Sequence, residues 1–114
     1  MSSVSVYRVV FWLLLVTVLI LSLVSVGDTK QLFVGQDKFF HMLAYSGLYA
    51  LLIQAYQTKF SLWLLATCLL TFGLLVEILQ YFSGYREAEI WDFVANTLGV
   101  LLVAGVTKYL KARR

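Results

Sequence analysis

The chain has 114 residues, of which 61% are hydrophobic and only 13% charged, where an ordinary soluble domain carries about 25% charged residues. With a mean hydropathy of +0.87, that balance excludes a conventional soluble enzyme and points to a membrane. Each crossing takes about 20 mostly apolar residues, so the expectation is one domain, 1–114, of four spans and no second, soluble domain.

Span one is predicted from about residue 9 to 26, an apolar run (VVFWLLLVTVLILSLVSV) with no charge inside it. A cleaved leader is the weaker reading. Arg8 is the lone basic residue before the run, the run exceeds the usual apolar length of a leader, and Ser25-Val26-Gly27 is a poor cleavage site. Span two is predicted at about 39–56, span three at about 60–82 and span four at about 90–109. The chain holds no proline, which removes the commonest cause of a kink. Tyr7, Tyr56, Trp63, Tyr81, Tyr85, Trp91 and Tyr109 fall near the predicted ends, where amphipathic rings prefer to sit. Cys68 is the one cysteine, so no internal disulfide can form.

Direction follows from the cations. Arg8, Lys59, Lys108, Lys111, Arg113 and Arg114 flank one side, whereas Lys30, Lys38 and Arg86 on the other are diluted by Asp28, Asp37, Glu87 and Glu89. The positive-inside rule then predicts an all-α, four-transmembrane-helix antiparallel bundle with both termini cytoplasmic. The net charge of +3 is concentrated in the tail KYLKARR, which suits a cytoplasmic flank rather than a nucleic-acid surface. No nucleic-acid partner is expected.

The polar residues of the later spans recur at helical spacing. Asp37, His41 and Tyr45 are four apart, and Lys38 precedes His41 by three. Glu77 and Gln80 are three apart near the end of span three, and Asp92, Asn96 and Gly99 open span four. Residues three and four apart share a helix face. With a rise of 1.5 Å per residue, His41 and Asp92 come about 3 Å below the outer end of their spans, Glu77 about 7 Å, and Tyr45 and Asn96 about 9 Å. The expectation is an outward-facing polar pocket walled by spans two, three and four, with span one contributing nothing polar. Ionisable groups facing lipid would be costly, so they turn inward and find partners. The blander alternative is that Glu77, Gln80, Asp92 and Asn96 are interhelical hydrogen-bond glue, worth about 0.6 kcal/mol each. Gly73 and Gly99 read most simply as close-packing positions.

These residues resemble the VanZ-like family. Asp37, Lys38, His41 and Tyr45 match its D-K-x-x-H-x-x-x-Y, and Glu77 with Gln80 its E-x-x-Q. Arg86, Asp92, Asn96 and Gly99 match the arginine, aspartate, asparagine and glycine that close the pattern. The likeness covers Asp37 to Gly99. It departs at Val103, where relatives often carry a further glycine, and lacks the proline often found just before the arginine. The resemblance implies a multi-pass protein of the bacterial inner membrane, connected with the cell envelope. In the family's founding case it also implies lowered susceptibility to teicoplanin, an antibiotic of the glycopeptide and lipoglycopeptide type.

Three functions follow as expectations. In the first, the pocket binds or modifies an envelope lipid or lipid-linked headgroup. His41 would carry protons, Glu77 or Asp92 would orient it or act as second acid/base, and Lys38 and Arg86 would hold phosphate. Asp37 would be a further ligand-binding residue beside them, with Tyr45, Gln80 and Asn96 fixing orientation. No serine or cysteine nucleophile motif is evident. An oxygen-rich set of His41, Glu77 and Asp92 could suit magnesium or manganese, but neither a metal nor another cofactor is assigned. The second function is a small proton-coupled transporter, for which the polar residues stop too early. The third is a non-catalytic interaction module for a membrane protein partner or a second copy of the chain.

Overall fold

The computed structural model describes residues 2–23, 35–83 and 90–113, and these form four α-helices: α1 (Ser3–Leu23), α2 (Gln36–Tyr56), α3 (Leu62–Ser83) and α4 (Ile90–Ala112). Local chemistry explains where they begin. Ser2 Oγ accepts the Ser5 amide at 3.1 Å, and Ser61 Oγ accepts the Leu64 amide at 3.1 Å. Both are side-chain caps that satisfy an amide left over at a helix start. Before α2 stands Gly35, whose φ of 80° lies in the left-handed region that glycine enters without a Cβ penalty. Relative to the predicted spans, α1 starts six residues earlier, at the Ser2 cap, and α4 runs three further, to Ala112. Hydrogen bonding carries the helices past the apolar runs from which the spans were read. Residues 24–26 of predicted span one lie outside the described residues.

α1, α3 and α4 are each long and apolar enough to cross a membrane, which points to a membrane protein. At 21 to 23 residues, each helix reaches about 31–35 Å, enough for a hydrocarbon core of about 30 Å. By composition α2 is not in that group, because polar side chains interrupt its apolar run. It is instead well covered, with Tyr45, Leu48, Tyr49, Leu52, Ile53 and Ala55 buried. A helix shielded by its neighbours can carry polar groups that would be costly on lipid.

α2 packs on α4, α1 and α3, and α3 touches both α1 and α4, while α1 and α4 do not meet. The core runs along α2, where Leu48 and Tyr49 are fully buried against Leu65, Leu69, Val100 and Ala104. Tyr49 donates its hydroxyl to the Leu62 carbonyl at 2.8 Å, so its one polar atom is satisfied. Phe11 is the one buried residue of α1. At the far end from His41, Arg8 Nε donates to the Ala55 carbonyl at 3.0 Å and Trp12 Nε1 to the Tyr56 hydroxyl at 3.0 Å. Much of the remaining surface is apolar, with Leu13, Leu75, Phe82, Ile90, Leu102 and Leu110 among its exposed residues. Exposed hydroxyls on it are satisfied within their own helices: Thr17, Thr67 and Thr71 each donate to the carbonyl four residues back, at 2.7–2.8 Å. That bond keeps a hydroxyl tolerable where water is scarce.

Candidate functional site

The polar residues of α2, α3 and α4 meet at the end of the bundle where α2 and α4 begin. Two close approaches set their alignment. A Cβ on Gly99 would overlap the Met42 carbonyl oxygen and come within 2.8 Å of Ser46 Oγ, so only glycine lets α4 lie this close to the α2 backbone. Ser46 Oγ stitches the contact, 2.7 Å from the Met42 carbonyl and 3.2 Å from that of Gly99. On α3, a Cβ on Gly73 would stand 3.1–3.2 Å from the Tyr45 ring, the Tyr45 hydroxyl and Asn96 Nδ2. Glycine there leaves room for both side chains between the helices.

Against this frame sit the charged groups. Asp92 is only 7% exposed, as is Glu77. Lys38 Nζ lies 3.3 Å from Asp92 Oδ1 and 2.7 Å from Asp37 Oδ2. His41 Nε2 faces Asp92 Oδ2 at 3.8 Å, and its other nitrogen, Nδ1, lies 3.2 Å from Asn96 Oδ1. An amide oxygen can only accept, so the imidazole carries a proton on Nδ1 and donates it. A neutral ring then turns its Nε2 lone pair toward Asp92. One ligand-capable atom from each of His41, Glu77 and Asp92 falls within a set no wider than 4.8 Å.

Not every predicted residue joins this group in the same way. Asp37 sits half-exposed at the rim. The hydrogen bond from Lys38 and that ammonium's charge outweigh partial desolvation and hold its carboxyl below the usual carboxylate range. Any stability from that pairing is therefore present at neutral pH and is lost as pH falls through the depressed pKa. Tyr45 is buried beside Gly73. Gln80 reaches elsewhere: its Nε2 donates to the Ser22 carbonyl of α1 at 2.9 Å, while among the described residues its buried Oε1 has no hydrogen-bond partner. Span one was expected to offer nothing polar to the pocket, yet its backbone supplies this acceptor. A backbone carbonyl in an apolar run carries no side-chain signal. Arg86, the expected phosphate ligand, lies outside the described residues, as do Lys30 and most of both loops on that side.

Two apolar grooves open beside the cluster. One, of about 260 Å³, runs between α1 and α2 past Val18, Leu21 and Phe40 to His41 and Tyr45. The other, of about 330 Å³, lies between α3 and α4, with Leu74, Ile78, Phe82, Ile90 and Phe93 around Glu77. A third groove, about 440 Å³, is farther along α1 and α3, among Phe11, Trp12, Leu52, Tyr56, Cys68 and Phe72. It holds no charged side chain and reads as an apolar fissure. Comparison with family models, curated proteins and solved structures finds no match to this chain.

Proposed function

We propose that the chain is a VanZ-like protein of the bacterial inner membrane whose outward-facing polar pocket binds or modifies a cell-envelope lipid or lipid-linked headgroup. In this reading α2 crosses the membrane with the other three helices as an antiparallel bundle, and both termini face the cytoplasm. The pairing of the start of α1 with the end of α2 through Arg8 and Trp12 supports that order. So does the meeting of the ends of α1 and α3 at Ser22 and Gln80. α2 is covered by its neighbours along Tyr45, Leu48, Tyr49, Leu52 and Ile53, and its charged residues sit in its first turns, away from the middle of the membrane.

One observation carries the functional reading: Glu77 forms part of an apolar groove between α3 and α4 and also belongs to the cluster with His41 and Asp92. A lipid whose chain lay in such a groove would bring its headgroup to the charged side chains. Lys38 would neutralise a phosphate, and Arg86 would add a second cation. In a reaction, His41 would move the proton while Glu77 or Asp92 held its ring or served as the second acid/base. The apolar, buried side chains along the core, Leu48, Leu52, Leu69 and Val100, favour this reading over a proton-coupled transporter, because a conduction path needs polar groups along its length.

Paired His41→Ala and Glu77→Gln variants test it. Both are expected to insert and fold in detergent, Glu77→Gln with stability close to that of the parent and His41→Ala with no more than the modest loss of its hydrogen bond to Asn96, yet to lose the envelope phenotype, read as lipid profile and lipoglycopeptide susceptibility in cells. Unfolding well beyond that loss, in step with phenotype, would favour a structural network and the interaction-module reading. Unchanged phenotype with unchanged stability would remove the pocket from function.

A further inference from the structure

We infer that His41, Glu77 and Asp92 form a divalent-cation site suited to Mn²⁺ or Zn²⁺. Their ligand-capable atoms lie within 4.8 Å of one another and come from three different helices. Two donors about 2.1 Å from one ion stand at most about 4.2 Å apart, so binding needs the side chains to draw in by about half an ångström.

Two further observations point to an ion rather than to simple helix glue. The first is the orientation of His41. Its Nδ1 donates to Asn96 Oδ1 at 3.2 Å, the outer hydrogen bond that holds a metal-binding imidazole in its tautomer. Nε2 is then left facing Asp92 Oδ2 at 3.8 Å, too far for a hydrogen bond. In a neutral ring, that nitrogen's lone pair and the carboxylate oxygen have no attraction for each other until a cation stands between them. The second is Asp92 itself. It is nine-tenths buried, and among the described residues its Oδ1 accepts no hydrogen bond. Lys38 approaches that oxygen at 3.3 Å but is shared with Asp37. Asp92 and Asp37 thus share one ammonium, and Asp92 does so from a buried position in an apolar setting, where a doubly charged ion beside it would be favoured.

The donor set selects the ion class. One imidazole with two carboxylates suits Mn²⁺ and Zn²⁺, while soft ions would want thiolates. Cys68 belongs to the distant apolar groove. Ca²⁺ would call for about 6–8 oxygen donors, more than these three side chains supply. The grooves that reach His41 and Glu77 would leave remaining coordination positions open to an oxygen ligand, and only that last point rests on the headgroup reading.

The test uses the full chain, purified in detergent and stripped with a chelator, then titrated with Mn²⁺ and followed by electron paramagnetic resonance. Saturable binding of one ion per chain is expected, displaced by Zn²⁺ and showing ¹⁴N modulation from a coordinated imidazole. Asp92→Asn should weaken Mn²⁺ binding more than about 100-fold, and Asn96→Ala, which removes only the outer hydrogen bond, about 10–100-fold. His41→Ala should abolish the ¹⁴N modulation. Helicity and thermal unfolding of each variant identify any that misfold, and the parent protein then decides alone. A folded parent that binds neither Mn²⁺ nor Zn²⁺ up to millimolar concentration would overturn the site, as would bound Mn²⁺ without ¹⁴N modulation. The headgroup reading fails separately. Metal binding in a protein whose His41 and Glu77 variants leave the cell phenotype intact would keep the ion site and remove the lipid.

Discussion

Gly99→Val is expected to destabilise the folded protein by about 2–3 kcal/mol, the upper part of the range for overpacking a tight contact. The reason is the identity of the atom it would strike. A Cβ at this position overlaps the Met42 carbonyl oxygen, which is main chain and cannot rotate away, so α4 must move off α2. The same movement breaks the shared Ser46 hydrogen bond and separates His41 from Asp92 and Asn96. Gly73→Ala is the control. Its new Cβ meets the Tyr45 ring, the Tyr45 hydroxyl and the Asn96 amide at 3.1–3.2 Å, and side-chain ends can yield by a few tenths of an ångström. A loss near 1 kcal/mol is expected there. Denaturant titration in mixed micelles, followed by tryptophan fluorescence, measures both. Equal stabilities for Gly99→Val and the parent would mean that α2 and α4 do not pack as described.

Asn96→Leu is expected to cost about 1–2 kcal/mol, the lower part of the penalty for leaving a donor without its acceptor, because the His41 ring is only partly buried. Asn96 is only 1% exposed, so a leucine there stays within the contact and offers the imidazole no acceptor. Leucine is of similar bulk, which keeps the cavity term small and isolates the hydrogen bond. A double-mutant cycle with His41→Ala checks the assignment. Residues in one hydrogen-bonded pair couple by about 0.5–3 kcal/mol, so the two losses should not add. Strict additivity would show that the bond from His41 to Asn96 contributes nothing to stability. In cells, Asn96→Leu should reproduce the His41→Ala phenotype if an oriented imidazole is what the pocket needs.

Much of the helical layout was legible from residues alone. The apolar runs in spans one, three and four were long enough to announce helices, and α2, α3 and α4 begin within three residues of the predicted starts. The early start of α1 was not visible, because a cap depends on the hydrogen bond from Ser5 to Ser2 rather than on hydropathy. α2 was read as a span like the others, yet it is not among the helices apolar enough to cross by composition. Its polar residues lower its apolarity, and its coverage by three neighbours could not be read from one helix at a time. For the site, the spacing of Asp37, Lys38, His41 and Tyr45, and of Asp92, Asn96 and Gly99, placed each set on one face. The spacing grouped Gln80 with the pocket, whereas its amide nitrogen turns to Ser22 of α1. Rotation of a long side chain is decided by whichever acceptor lies within reach.

The sequence by itself determined that this chain is made of apolar helices, three of which carry ionisable or amide side chains near the same end. That much is local physics: a helix repeats every 3.6 residues, so spacing sets faces and rise sets depth. The tertiary structure alone decided which groups touch. It brought Lys38 to Asp92, turned His41 Nε2 toward the same carboxylate with Asn96 behind it, and drew on the α1 backbone. Those distances depend on how far apart the helices stand and how each is rotated, and the contact at Gly99 that sets them joins residues more than fifty positions apart in the chain.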